Sequence, residues 1–370
     1  MISKDSLQLD WINKVSAENR KADKILVEKV IRALLLLEGL AQSGLLFVFK
    51  GGTVVMLLQG APKRFSIDID IIVPDKADFD ALFTKFLHDK GFTRLEIQKR
   101  NTTSKIEKYH YKFFYNPTFK SGATEDNILL DILMETSHYK NVLPINIDSP
   151  FVKQEGKPVK VNIPSKEDIL ADKLTAFAPN TTGIPYEKSG FSMAMEIIKQ
   201  LYDIGNLFEE ISDLKVIAET FDKIAKTEMK YRNITGDAKI VLDDIFQTAL
   251  CLATRGKAGK GDFTALQNGV SQIRAYIFSE SYHIEKAIVH AARAAYCVKL
   301  IETGEKKFSR FEKAEQIIDW NIDSPLDTKL NKLKKSNPEA FFLLVSGVFA
   351  GKKGGGRMKK YFTLGRRGKE

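Results

Sequence analysis

Residues 47–73 read FVFKGGTVVMLLQGAPKRFSIDIDIIV, and they join two short apolar runs through a Gly-Gly-Thr turn and a helix-length segment. The second apolar run is acidic at two alternate positions. Successive side chains of a strand point to opposite faces, so Asp68 and Asp70 are predicted to project together while Ile69 projects the other way. The pattern therefore predicts a strand–turn–helix–strand unit that carries two adjacent carboxylates.

Two adjacent carboxylates favour a bound cation, because like charges a few ångströms apart disfavour each other's ionised form. Mg²⁺ binds carboxylate oxygens, keeps several waters and completes its coordination with substrate phosphates. We therefore expect Asp68 and Asp70 to bind Mg²⁺ together with a nucleoside triphosphate (NTP).

The Gly-Gly-Thr turn offers a place for those phosphates. Gly51 and Gly52 let backbone approach closely, and amides at a helix start attract an anion. Thr53 can add a hydroxyl, and Lys50 and Arg64 supply positive charge. A lone Gly-Gly is usually a turn and a lone Asp-x-Asp is usually a solvated strand face, but their combination is more specific.

With these residues the chain resembles the nucleotidyltransferase fold, and more closely the AbiEii/AbiGii family of toxins, which includes the mycobacterial MenT toxins. The resemblance rests on KGGT at residues 50–53 and RFSIDID at residues 64–70. It implies an α+β fold, in which a mixed sheet with flanking helices is followed by a mostly α-helical C-terminal domain. It also implies that Arg64 and Ser66 belong to the nucleotide site.

A third acid follows in residues 127–135, NILLDILME, which are predicted to form a strand. Acidic residues are depleted inside strands, so Asp131 needs a partner. In nucleotidyltransferase folds a third strand brings a carboxylate beside the first two, where it binds metal and can accept a proton. The alternative is an edge-strand aspartate that faces water.

Two further site residues are implied by the resemblance alone. Residues 172–176, DKLTA, match the family's Lys-Leu-x-Ala segment, whose lysine contacts the nucleotide, so Lys173 would neutralise phosphate charge. Residues 199–203, KQLYD, resemble a motif that usually reads Arg-Asp-x-x-Asp and whose last acid, here Asp203, is needed for activity. Lys199 and Gln200 depart from that motif. The competing interpretations are a surface lysine and a Lys199–Asp203 ion pair along one helix.

Composition indicates a protein of about two domains that stays in the cytoplasm. The 370 residues are 44% hydrophobic and 28% charged, as in globular proteins, and the two cysteines lie in apolar helical patterns. No apolar run is long enough to cross a membrane, and the N-terminus lacks the apolar core of a signal peptide. We expect residues 1–160 to form the α/β domain and residues 161–350 the helical domain.

The net charge of +10 is concentrated at the C-terminus. Residues 351–370 hold eight Lys or Arg and one Glu, which leaves about +3 for the rest of the chain. Such a tail is predicted to be disordered, and either binds nucleic acid without sequence preference or only keeps the protein soluble.

Three other segments carry predictions. Residues 106–115 are expected to form a strand whose aromatic row packs in the core rather than stacking on RNA bases. Residues 179–191, PNTTGIPYEKSGF, are expected to form a mobile acceptor-binding loop. Apolar periodicity predicts helices downstream, including one over residues 308–321. The aromatic row consists of Tyr109, Tyr111, Phe113 and Tyr115.

Together these features predict a Mg²⁺-dependent nucleotidyltransferase. Asp68, Asp70 and Asp131 would hold the metal, and Asp131 or Asp203 would activate an acceptor hydroxyl. The resemblance implies a toxin from a toxin–antitoxin or phage-defence operon, an AbiEi-like antitoxin as partner, and the 3′ end of tRNA as acceptor. Transfer to a protein or small molecule, or a non-catalytic nucleotide- or RNA-binding module, are the alternatives.

Overall fold

The computed structural model describes residues 1–98, 107–119, 124–322 and 328–350, and divides the chain into two compact units. The first unit comprises Met1–Ser165 and Arg274–Ser281, and the second comprises Lys166–Ile273 and the chain from Tyr282 onward. The basic tail predicted for residues 351–370 lies outside the described residues. In the described part of the chain, no helix combines the length and hydropathy needed to cross a bilayer.

The first unit mixes helices and strands. Its helices are α1 (Leu9–Glu18), α2 (Lys24–Gln42), α3 (Gly52–Leu58) and α4 (Phe79–Phe86). Its strands are β1 (Val48–Lys50), β2 (Ile69–Val73), β3 (Arg94–Ile97), β4 (Lys108–Tyr115), β5 (Asp126–Met134), β6 (Val142–Asn146) and β7 (Lys160–Pro164).

Five of these strands form one mixed sheet in the order β1-β2-β5-β4-β3. β2 and β5 are parallel, whereas the other neighbouring pairs are antiparallel. β6 and β7 form a separate antiparallel pair. The predicted α+β class with a mixed sheet is confirmed.

One face of the sheet is the core of the first unit. Ile71, Ile132 and Phe113 project there from neighbouring strands and are almost fully buried. Phe83 of α4 packs against the rings of Tyr111 and Phe113, with centroids 5.1 and 5.5 Å apart. The aromatic row of β4 therefore belongs to the core, as the sequence predicts. Burial also raises the pKa of Tyr111 well above its ordinary value.

A segment from far along the chain completes the first unit. The amide of Phe65 donates to the carbonyl of Tyr276 over 2.8 Å, and Arg64 forms an isolated bridge with Ile277. The rings of Phe65 and Phe278 lie 4.7 Å apart. Residues 274–281 thus hold the chain just before the acidic strand, a contact that local sequence patterns could not predict.

In its described residues the second unit is mostly helical and includes a small hairpin. Its helices are α5 (Lys166–Ala176), α6 (Ala194–Leu207), α7 (Leu214–Tyr231), α8 (Lys239–Ala253), α9 (Phe263–Gln272), α10 (Ile284–Thr303), α11 (Leu333–Ser336) and α12 (Pro338–Phe349). The hairpin pairs β8 (Glu187–Lys188) with β9 (Phe191–Ser192).

The helix predicted over residues 308–321 is wrong, since only a 3₁₀ turn, Ala314–Ile317, forms there. Tertiary contacts outweigh the apolar periodicity. Phe308 packs edge-on against Phe208, with centroids 5.7 Å apart, and Nη2 of Arg310 donates to the carbonyl of Ile211 over 3.0 Å.

The connection between α5 and α6 is anchored at its base. Asp244 accepts hydrogen bonds from the amide of Asn180 over 2.9 Å and from the Thr181 hydroxyl over 2.8 Å. Arg232 donates to the carbonyls of Thr181 and Gly183. These bonds hold the start of the segment that the sequence predicts to be mobile. Its hairpin, residues 187–192, is exposed, including Phe191.

Candidate active site

A row of ionisable residues crosses the sheet on the face opposite the core. Lys50 of β1 is the register partner of Asp70 of β2, and Asp70 is the register partner of Asp131 of β5. Asp131 is in turn paired with His110 of β4. Directly opposed residues project to the same face, so the strands bring Asp70 and Asp131 together. The sequence predicts that three acids lie together, Asp68, Asp70 and Asp131, and the strand register brings the last two onto one face.

Asp68 immediately precedes β2, which begins at Ile69. Its side chain is exposed, and its carbonyl accepts a hydrogen bond from the Thr53 hydroxyl over 2.7 Å. Thr53 itself is fully buried. The Thr53 hydroxyl therefore fixes the backbone that carries Asp68, and its hydrogen is already donated there.

Gly51 brings the turn against Asp70. Its φ of +85° is in the region that favours glycine. A Cβ atom at this position would overlap Oδ2 of Asp70 and lie 2.9 Å from its Cγ. The missing side chain thus leaves the space that the Asp70 carboxylate occupies.

Gly52 makes a second close approach, to Arg64 and Ser66. An added Cβ atom would lie 2.6 Å from the Ser66 hydroxyl oxygen and 2.8 Å from Nη2 of Arg64. The guanidinium of Arg64 is buried and also donates from Nη1 to the carbonyl of Phe65. A cation, a hydroxyl and the first amides of α3 therefore surround the glycine turn, beside the acid of β2.

The second unit contains its own buried charge cluster. Nζ of Lys173 on α5 lies 3.1 Å from Oδ2 of Asp203 on α6, and both residues are at most 5% exposed. Nζ also donates to the amide oxygen of Gln200 over 3.0 Å. Gln200 thus supplies an uncharged acceptor where the resembling motif has an acid. Lys199 pairs with Glu196 along α6.

His110 is the residue of this face that sequence reasoning missed. Its Nδ1 lies 2.6 Å from Oδ1 of Asp131. Alternation along β4 places His110 on the face opposite Tyr109 and Tyr111. This pattern could have predicted that His110 faces away from the core. Its partner could not be predicted, because the register between β4 and β5 depends on a connection whose length does not fix it.

The acidic residues of this face could bind a divalent ion whose remaining ligands come from the substrate. Among the residues that the structure describes, no group of three or more His, Cys, Asp or Glu side chains is assembled to hold a metal by itself. Asp70 and Asp131 nevertheless provide two carboxylates in register, and Mg²⁺ sites commonly use one or two carboxylates with substrate phosphates. The chemistry of the donors and the glycine turn beside them suit that arrangement.

A glycine turn at a helix start, next to paired acids on a mixed sheet, defines the class of the protein as a nucleotidyltransferase. The family model described as "Nucleotidyl transferase AbiEii toxin, Type IV TA system" matches residues 35–274, which is more than half of the chain. The chain belongs to this family of toxin nucleotidyltransferases. Membership implies an NTP substrate and an antitoxin partner.

Solved structures with remote similarity have related descriptions. A nucleotidyltransferase crystal structure from H. pylori is 17% identical, covering 77% of this chain and 99% of that chain with a TM-score of 0.43. An antigenic nucleotidyltransferase-like protein from Paracoccidioides brasiliensis is 16% identical, covering 54% and 93% with a TM-score of 0.31. No curated protein matches the chain. The family assignment depends on the family model alone.

Proposed function

We propose that this toxin transfers a nucleoside monophosphate from an NTP to the 3′-terminal hydroxyl of tRNA in a Mg²⁺-dependent reaction. The observation that carries the proposal is the register of Asp70 with Asp131 beside the Gly51–Gly52 turn. We further propose that it acts in the cytoplasm as part of a phage-defence system with an AbiEi-like antitoxin.

Asp70 and Asp131, with Asp68 from the preceding coil, would hold the metal. When bound, the ion would neutralise charge on the triphosphate and polarise its phosphoryl oxygens. The amides after Gly51 and the guanidinium of Arg64 would bind the β and γ phosphates, since both present hydrogen-bond donors to an anion. Ser66 would donate its hydroxyl on the same side, and Thr53 would act by holding the backbone of Asp68.

In the transfer step, the acceptor hydroxyl oxygen forms a bond to the α-phosphorus while the bond between that phosphorus and the β-phosphate oxygen breaks. Pyrophosphate departs with the bonding electron pair. The hydroxyl proton passes to a carboxylate, for which Asp131 is the better candidate because its side chain is 38% exposed. Asp203 is 2% exposed and held by Lys173, which suits it to fixing the lysine.

Lys173 would contribute positive charge to the triphosphate. An ammonium group has three N–H donors, and Asp203 and Gln200 together accept from it in the described structure. We infer that Asp203 and Gln200 hold the ammonium group in place until an anionic oxygen is present.

Transfer to a protein side chain is the second candidate, because the fold does not fix the acceptor. Purified protein should be incubated with each α-labelled NTP, Mg²⁺, and either total RNA or total protein. Label in tRNA that is lost in Asp70→Ala supports the proposal. Label only in protein would move the acceptor to the second candidate, and no label in either sample from folded protein would overturn transfer altogether.

A further inference from the structure

His110 is a buried histidine that belongs to the polar face of the sheet. It is 8% exposed, although its neighbours on the strand, Tyr109 and Tyr111, project to the core side. Its ring contacts Asp131 through Nδ1 and Oδ1, 2.6 Å apart. A hydrogen bond of this length to a carboxylate is a strong one.

The direction of this bond follows from the chemistry of its partners. An ionised carboxylate can only accept hydrogen bonds, so Nδ1 of His110 must carry the hydrogen. A carboxylate has two oxygens, and the bond engages Oδ1 of Asp131. Oδ2 is left to bind another group. The side chain of Asp131, which is only partly buried, is thereby held in one orientation.

We propose that His110 is a positioning residue that fixes the Asp131 carboxylate for the metal and the acceptor hydroxyl. The inference rests on the proposed function, and it assigns a role to a residue that does not itself touch substrate. Hydrogen-bonding partners of metal ligands are worth about 10–100-fold in metal affinity or activity. His110 would act in this way on a carboxylate ligand.

The shapes of amide side chains allow the role of Nδ1 to be tested separately from the presence of a polar group. The side-chain nitrogen of asparagine occupies the position of Nδ1, whereas that of glutamine corresponds more closely to Nε2. His110→Asn can therefore keep the bond to Oδ1, and His110→Gln and His110→Ala cannot. His88, which is exposed and contacts the carbonyl of Phe92, provides a matched control as His88→Asn.

The first measurement is Mn²⁺ binding to the full chain in the presence of a fixed concentration of a non-hydrolysable NTP analogue. It is monitored by the paramagnetic resonance of the unbound ion and compared with the analogue alone. We expect at least tenfold weaker Mn²⁺ binding in His110→Ala and His110→Gln, binding within threefold of wild type in His110→Asn, and no change in His88→Asn. In the transferase assay, kcat should fall with the same ranking, because Asp131 is no longer held in position for the metal and the acceptor hydroxyl. A role limited to stability would not produce this ranking.

Three results would overturn the inference: wild-type protein that binds no Mn²⁺, His110→Ala that binds it as wild type does, or His110→Asn that loses as much affinity as His110→Ala. If His110→Ala does not fold, the comparison of the asparagine and glutamine variants decides. Wild-type protein that binds Mn²⁺ but transfers no label would instead contradict the proposed function, so the two failures are distinguishable.

Discussion

At the scale of single residues, the glycine turn is the most sensitive feature of the site. Gly51→Ala would place a methyl group on the Asp70 carboxylate and force alanine into a positive φ. Gly51 has φ +85° and ψ −160°, a region essentially restricted to glycine, so the backbone term alone costs about 1–3 kcal/mol. Asp70 must also move, so we expect loss of both Mn²⁺ binding and NMP transfer, measured by titration and by label incorporation.

Gly60→Ala is the matched control for this variant. Gly60 also has a positive φ, of +62°, and follows the same helix, but an added Cβ atom would meet nothing within 4 Å. Gly60→Ala should be destabilised by its positive φ but should keep metal binding. Equal losses in both variants would mean that strain, and not the contact with Asp70, explains the need for glycine at position 51.

Residue spacing predicts some site members and not others. The alternation of Asp68 and Asp70 and the Gly-Gly pair are local patterns, and local geometry places them together. β2 nevertheless begins after Asp68, which leaves that residue outside the strand. The bond between His110 and Asp131 depends on pairing between two strands, and no local pattern contains that information.

At the scale of elements, α5 and α6 are joined by the buried Lys173–Asp203 pair. Lys173→Met should destabilise the protein by about 3–5 kcal/mol, because it leaves the Asp203 charge buried without its partner. The double variant Lys173→Met with Asp203→Leu should recover much of that free energy of unfolding, since no unpaired charge remains. Urea unfolding of both variants measures the difference.

The transfer activity of the double variant tests whether the Lys173–Asp203 pair has a role beyond stability. If Lys173 contributes charge to the triphosphate, the double variant should be stable and inactive. A stable double variant with wild-type activity would show that the pair is only structural.

The connection between α5 and α6 allows a second prediction at this scale. Asp244→Ala removes the acceptor for Asn180 and Thr181 and should cost about 2–4 kcal/mol. Protease cleavage within residues 179–192 should become faster. Asp243→Ala, at the exposed neighbouring position, should leave the cleavage rate unchanged. Equal cleavage in both variants would show that Asp244 does not anchor the segment.

At the scale of the whole molecule, buried thiol and phenol groups predict alkaline instability. Burial raises the pKa of Cys297 to about 12 from an ordinary value of 9.0, because it disfavours the thiolate. The folded state therefore keeps a proton that the unfolded chain releases above pH 9. This contribution to stability is fully present below pH 9 and is lost as pH rises towards 12. Burial also raises the pKa of Tyr186, to about 12.

Urea unfolding between pH 8 and 10.5 tests this prediction. The free energy of unfolding should fall by up to about 1.4 kcal/mol per pH unit for Cys297 alone. Cys297→Ala should show a shallower fall, whatever its stability at pH 8. Parallel curves for the two proteins would contradict the assigned pKa.

The fold class could be predicted because residues 50–53 and 64–70 resemble the family's motifs, and that resemblance implies an α+β fold. The packing of residues 274–281 in the first unit could not be predicted. It depends on their contacts with Phe65, which is about 210 residues earlier in the chain. The missing helix near Phe308 has the same cause, because contacts with Phe208 and Ile211 outweigh its local pattern. Local sequence patterns do not determine strand register or tertiary contacts.

The most direct test of the central claim compares two aspartates of one strand. Asp131 and Asp126 both lie on β5, but Asp126 pairs with Lys29, and their odd spacing places them on opposite faces. In the labelled-NTP assay with Mg²⁺ and tRNA, we predict that Asp131→Asn loses at least 100-fold of the transfer rate and that Asp126→Asn stays within threefold of wild type. Equal rates for folded Asp131→Asn and wild type would contradict the account.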